Sequence, residues 1–336
     1  MKRGYMDWDK SLLPLSALEQ RRALLLGAAK RAGVKAVIIY GDVYSADELS
    51  YYVNYAPYWC NSAAVLTEND SYMVTGHNNR VNPWISTLTG MEQEKLLASG
   101  FKVPERTAQS LKERFPEGGR IGMIGKYAMA AMADALAKEG FELVVMDAEE
   151  AELLQHADAA YRATAAKAAE ILRQAFKQGR EDYANGGSSR TVTAEIEYSA
   201  RKNGAMDIVL YVAYEGEAFG LPEVREDANG TWSVCALMQY LGVWVRMTET
   251  FGVDLTALRA ELAAATAGLV PGRISAASQG ARITVSQVLS DAVSDLNAKV
   301  ERLTDGQVVS VEACDAANGI FCGEMYQISE KGAVAL

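Results

Sequence analysis

A chain of 336 residues, 49% hydrophobic and 23% charged with a mean hydropathy of -0.06, has the composition of a globular protein long enough for two domains of ordinary size. Its 33 basic and 43 acidic side chains leave a formal net charge of -10, which argues against broad binding to nucleic acid or to an anionic membrane, since both need a basic face. Cys60, Cys235, Cys314 and Cys322 form no CxxC pair, the first fifteen residues lack an apolar signal region, and no apolar run approaches the ~20 residues of a membrane span, so reduced thiols and a cytoplasmic location are expected.

The first helix is expected at Ser16, where Ser16 and Glu19 have the spacing of a capping box, with Gly33 as its end. Lys35 to Tyr40 reads as a buried strand. Ser62 to Thr67 and Ser71 to Gly76, separated by Glu68-Asn69-Asp70, read as a hairpin. A strand over Arg120 to Ile124, a helix over Ala128 to Glu139, a strand over Phe141 to Met146 and a helix near Asp147 to Gln155 follow. Strands alternating with helices over residues 1–156 predict a small α/β domain.

A second block opens near Asp158 with a long helix. Tyr161, Ala165, Ala168, Leu172 and Ala175 share one face, and Gly179 is the expected stop. Asn185 to Arg190 is a glycine-rich loop without the lysine of a phosphate cradle. Then come a helix stopped by Gly204, strands over Asp207 to Tyr214, Trp232 to Tyr240 and Val243 to Phe251, an alanine-rich helix from Leu255 to Gly268, and a helix over about Ser286 to Arg302. Val308 to Cys314 and Met325 to Ser329 read as the last strands. His77 is expected on a surface loop and His156 at a linker. Glu215, Glu217, Glu226 and Asp227 read as solvated loop charge.

The stretch from Thr231 to Phe251, with "VVSVEACD" at 308–315 and "GEMYQISEKGAVAL" at 323–336, resembles the superfamily of Xaa-Pro aminopeptidases, methionine aminopeptidases and creatinase, whose shared core is the pita-bread fold. "ELSYYVNY" at 48–55 resembles the strand-edge segment of its N-terminal domain. "AEIEYSARKNGAMD" at 194–207 resembles the helix before the first core strand, and "LTDGQVVSVEACD" at 303–315 the segment bearing a metal-binding glutamate. The resemblance implies an α/β (α+β) chain: a creatinase-like N-terminal domain over 1–156 and a shortened pita-bread domain over 157–336.

In the metallopeptidases of that superfamily the hairpin carries two aspartates that bind two metal ions. The matching positions here are Cys235 or Ala236, and Arg246. The first ligand glutamate persists as Glu312. The last falls on Gly323 or, with a one-residue shift, on Glu324, and no histidine follows His156 to serve as the ligand histidine. No metal and no other cofactor is therefore expected. Pro222 is followed by Glu223 where the superfamily carries a histidine, the proton shuttle of creatinase. A carboxylate does general acid/base work when burial or a like charge raises its pKa toward neutrality, which makes Glu223 the first candidate catalytic group and Glu312 the second.

Arg246 has two readings: it clamps a substrate carboxylate, or it fills the space of the metals and neutralises Glu312. Glu324, Tyr240, Trp244 and Tyr326 are candidate substrate contacts, with Trp232 a further core or wall residue and Tyr211 and Tyr214 further hydrogen-bond donors to a ligand. Cys235 is a candidate nucleophile if Arg246 lowers its pKa, and Cys314 is a weaker one. The implied function is a metal-independent enzyme acting on a small nitrogen-containing substrate, with C–N hydrolysis the leading chemistry, in a homodimer. The alternative is an inactive homologue, either a binding module or the degenerate subunit of a heteromer with an active paralogue. The two differ in whether a small molecule or a stoichiometric paralogue accompanies the purified chain.

Overall fold

The computed structural model describes residues 8–125, 130–214, 219–220, 230–272, 283–291, 300, 302–315 and 318–336. The chain divides into two compact units, Met1–Gln155 and His156–Leu336.

The first unit is built on a six-stranded sheet in the order β4-β3-β2-β1-β5-β6, from β1 (Ala36–Gly41), β2 (Ser62–Thr67), β3 (Ser71–Thr75), β4 (Leu96–Ala98), β5 (Gly119–Ile124) and β6 (Phe141–Val145). Every residue of β1 and β2 is buried. Alternation sends Val37, Ile39, Ala64 and Leu66 into one core and Ile38, Tyr40, Ala63 and Val65 into another. Such two-sided burial is why these strands read as continuous apolar runs.

Helix α1 (Leu15–Arg31) starts before the expected capping box. Pro14 is the cap residue, extended at ψ 154°, and no side chain caps the helix; Ser16 lies inside the first turn. The "ELSYYVNY" segment is mostly helical rather than a strand edge. It forms α2 (Asp47–Val53), which buries Leu49, Tyr52 and Val53 at helical spacing. Asn54 ends it in the left-handed region at φ 53°, a conformation that asparagine tolerates. Two helices not anticipated from the sequence, α3 (Asn82–Thr89) and α4 (Val103–Arg114), each carry a proline in the first turn, where its missing N–H costs no helical bond. Helices α5 (Ala130–Lys138) and α6 (Asp147–Leu154) fall where expected. His77 is buried, not on the surface. It stacks on Tyr58 with ring centroids 4.7 Å apart, and burial lowers the pKa of its imidazole.

The second unit opens with α7 (Ala159–Ala184), a 26-residue helix whose cap, Asp158, accepts from the Tyr161 amide at 2.6 Å. Gly179 does not end it. Gly179 is buried within the helix, and a β-carbon there would sit 2.7 Å from Ile196 Cγ1 on the next helix, α8 (Ser189–Lys202). The glycine serves close helix approach instead of termination. Gly179→Ala is expected to lower stability in urea denaturation by about 1–2 kcal/mol, overpacking offset in part by better helix propensity. The loss should be sub-additive with Ile196→Ala, and an additive cycle would show that the two helices do not meet there.

The remaining strands are β7 (Asp207–Tyr214), β8 (Trp232–Tyr240), β9 (Val243–Phe251), β10 (Ile283–Ser286), β11 (Val308–Asp315), β12 (Ile320–Ser329) and β13 (Gly332–Ala335). The sheet runs β10-β11-β12-β9-β8-β7, with β13 added to β12. Ser286, expected to open a helix, ends β10 and pairs with Ser310 of β11. The rest of that expected helix lies largely outside the described residues. Helix α9 (Thr256–Ala267) places Leu258 and Leu262 on Val309, Val311, Ala313, Tyr326 and Ile328, which identifies one face of the sheet as helix-covered. None of the described helices is long and apolar enough to cross a membrane.

Candidate functional site

The site is positioned by the β8–β9 hairpin. Tyr240 pairs with Val243 across a two-residue turn, Leu241-Gly242, both with positive φ (45° and 78°), which suits the twist of the flanking strands. This turn fixes the register: Trp232 faces Phe251, Cys235 faces Thr248, Leu237 faces Arg246 and Gln239 faces Trp244. Trp232 and Phe251 stack under Tyr183 of α7, so their parity is the helix-covered face. The other parity, with Cys235, Trp244, Arg246 and Thr248, belongs to the opposite face.

Strand β11 brings Glu312 to that opposite face. Its neighbours Val311 and Ala313 enter the α9 core, so Glu312 points the other way. Arg246 Nη2 donates to Glu312 Oε2 at 2.6 Å, and Thr248 Oγ1 donates to the same oxygen at 2.7 Å. Arg246 is 3% exposed and Glu312 9%. Burial opposes the charge of Arg246, but the Glu312 carboxylate beside it holds the guanidinium pKa above its ordinary value, so the arginine is a permanent cation. Burial pushes the Cys235 thiol up, and Arg246 does not reverse this. The expected activation of Cys235 as a nucleophile is thus not met: a wholly buried thiol without a lowered pKa stays protonated.

Other expected site residues separate. Trp244 shares the face of Arg246 and Glu312. Tyr240 does not: it has the helix-covered parity, and a β-carbon at Gly204, just past α8, would lie 3.4 Å from its ring. Tyr326 packs in the α9 cluster, and Glu324, two residues away on β12, lies on the same face. That face also holds Glu249, whose pKa burial raises while Arg180 and Arg259 oppose the shift and Glu324 adds to it. Tyr240, Glu324 and Tyr326, expected as substrate contacts, are thus placed on the helix-covered face, away from Arg246 and Glu312. Glu223 lies outside the described residues, as do Glu215, Glu217, Glu226 and Asp227. Tyr211 has the parity of Cys235, its cross-strand partner, and donates to the Asp291 carbonyl at 3.0 Å. Thr248 is the member that sequence reasoning missed, although alternation from Arg246 would have found it.

Gly323 pairs directly with Glu312 across β11 and β12, so it, and not Glu324, is the residue on the site face. A β-carbon there would stand 2.9 Å from the Val311 carbonyl oxygen and 3.0 Å from Glu312 Cα. The strands are too close for a glutamate.

No family model matches the sequence, and no curated protein matches it. Solved structures do. A prolidase from Pyrococcus horikoshii OT3 superposes with a TM-score of 0.72 at 14% identity, covering 94% of this chain and 97% of that one. An X-Pro aminopeptidase from Thermotoga maritima MSB8 gives 0.69 at 14% identity, over 94% of this chain and 96% of that one. The N-terminal domain of FACT complex subunit SPT16 from Cicer arietinum gives 0.62 at 12% identity, over 96% of each.

The pair of divalent ions that the metallopeptidases of the resembled superfamily hold does not fit these side chains. Arg246 places a cation on Glu312, whose Oε2 already accepts two hydrogen bonds. Cys235 is a protonated thiol, and Gly323 offers nothing. Among the described residues no group of three or more His, Cys, Asp or Glu side chains is placed to hold a metal ion. The fold of the chain is the pita-bread fold of the prolidases and Xaa-Pro aminopeptidases.

Proposed function

We propose that the chain is a creatinase-like hydrolase that works without a metal on a small nitrogen-containing molecule, with C–N bond cleavage as its reaction. The observation that carries this reading is the buried Arg246–Glu312 pair on the site face. Opposite charges held side by side match a substrate that bears both a carboxylate and a cationic or N–H-rich group, such as an amino-acid or guanidino-acid derivative. Binding would exchange the internal pair for two substrate pairs, Arg246 taking the carboxylate in a fork and Glu312 the nitrogen. Trp244, on the same face, supplies an apolar wall. Glu223 is assigned the proton transfers, on the resemblance alone.

The test is turnover of a panel of small amides, guanidino acids and N-substituted amino acids with a chelator present throughout. Activity is expected to survive the chelator, and Glu312→Gln, verified as folded by circular dichroism, is expected to lose about 10²-fold or more in kcat/KM. Activity that appears only on adding manganese, cobalt or zinc would sink the metal-free reading. A chain that binds none of the panel yet co-purifies with a stoichiometric paralogue would replace it with the binding-subunit reading.

A further inference from the structure

We propose that Arg246 is a built-in cation that holds the place of a metal ion against Glu312, and that replacing it by an acidic or thiol ligand turns the same face into a zinc site. The inference shares with the proposed function only the absence of metal from the natural chain; it does not depend on the substrate.

Glu312 and Cys235 lie against the guanidinium, and Thr248 lies against both of them. Glu312 Oε2 is 2.6 Å from Nη2, Thr248 Oγ1 is 2.7 Å from that same carboxylate oxygen, and the Cys235 thiol, directly opposite Thr248, lies against both Arg246 and Thr248. Among the described residues the charge at the centre balances: one guanidinium against one carboxylate. The fit as a hydrogen-bonding group is incomplete, because Arg246 Nε is buried and has no hydrogen-bond partner among the described residues. A point charge would serve this space as well as a planar fork does. Removing the guanidinium vacates the centre and leaves a buried carboxylate without a counter-charge, which is the electrostatic condition for capturing a cation.

In Arg246→Asp the introduced carboxylate, Glu312 and Cys235 supply three ligands of the kinds zinc takes, and a fourth position stays open to water. Coordination removes the thiol proton, so burial of Cys235 is no obstacle once the ion is bound. One proton leaves to solvent for each ion captured.

Zinc titration by calorimetry, with elemental analysis after gel filtration, is the experiment. The natural chain is expected to retain less than about 0.1 equivalent, and Arg246→Asp about one equivalent, the count of a single closed ligand set. Cobalt in the variant is expected to show thiolate-to-metal charge-transfer absorption. That band should vanish, and zinc affinity fall at least about tenfold, when Cys235→Ser is added. Arg246→Cys, which adds no charge to the empty cavity, guards against an unfolded variant. If either protein is unfolded alone, zinc-induced folding followed by circular dichroism supports the proposal equally. Stoichiometric zinc in the natural chain would overturn this inference and the proposed function together. No zinc response in both variants, folded or not, would overturn this inference alone.

Discussion

Replacing Arg246 with methionine is expected to cost about 3–5 kcal/mol of folding stability, because it strands a buried carboxylate without its counter-charge. The side chains of Arg246 and Glu312 are 3% and 11% exposed, so neither can turn to water for relief. Among the described residues Thr248 would remain as the hydroxyl donor to Glu312 Oε2, and one hydrogen bond to a charged group, worth about 1.5–3 kcal/mol, is already made in the natural chain and offsets none of the loss. The paired change Arg246→Met with Glu312→Leu should recover most of the loss, since apolar replacements of a buried ion pair are often neutral or stabilising by about 1–4 kcal/mol. Urea midpoints at neutral pH for the two single variants and the double variant complete the cycle. A loss below about 1 kcal/mol for Arg246→Met would mean that the pair is solvated as surface pairs are, and the site face would then be open to water.

The strands that build the site were legible because their apolar alternation and length are local properties. Asp207–Tyr214, Trp232–Tyr240 and Val243–Phe251 fall where the sequence places them. The motif positions Arg246 and Glu312, taken from the resemblance, also come together as a bonded pair. What local pattern could not decide was facing. Gly323 and Glu324 are one residue apart in sequence but on opposite faces of the sheet, and only the pairing of Gly323 with Glu312 says which faces the site. The same ambiguity hid that Tyr240 and Tyr326 lie on the helix-covered face and that Thr248 lies beside Arg246. Gly179 misled for a related reason. A glycine at a helix end and a glycine at a helix crossing look alike in sequence, and Ile196, seventeen positions on, distinguishes them. The "ELSYYVNY" segment, rich in strand-favouring tyrosine and valine, is helical because Leu49, Tyr52 and Val53 reach the core together only at helical spacing.

Trp232→Ala is expected to cost about 3–5 kcal/mol, the range for emptying a large core aromatic site. Trp232 is 1% exposed and stacks on Phe251 at 4.6 Å with the rings 11° from parallel; Tyr183 of α7 meets both rings. Its indole N–H is buried without a hydrogen-bond partner among the described residues, so the ring is there for its area, not its polar atom. Trp232→Phe should therefore stay within about 1 kcal/mol of the natural chain, because the smaller ring keeps the stack and removes an unsatisfied donor. The consequence reaches the site through register. Trp232 and Phe251 pin the helix side of the hairpin, and that pinning keeps Cys235, Arg246 and Thr248 on the other side. Loosening it should lower the protection of the β8 and β9 amides from hydrogen exchange, more than that of the β1 and β2 amides in the first unit. Equal loss of protection in both units, or a stability change below about 2 kcal/mol for Trp232→Ala, would show that the aromatic stack does not hold the hairpin in place.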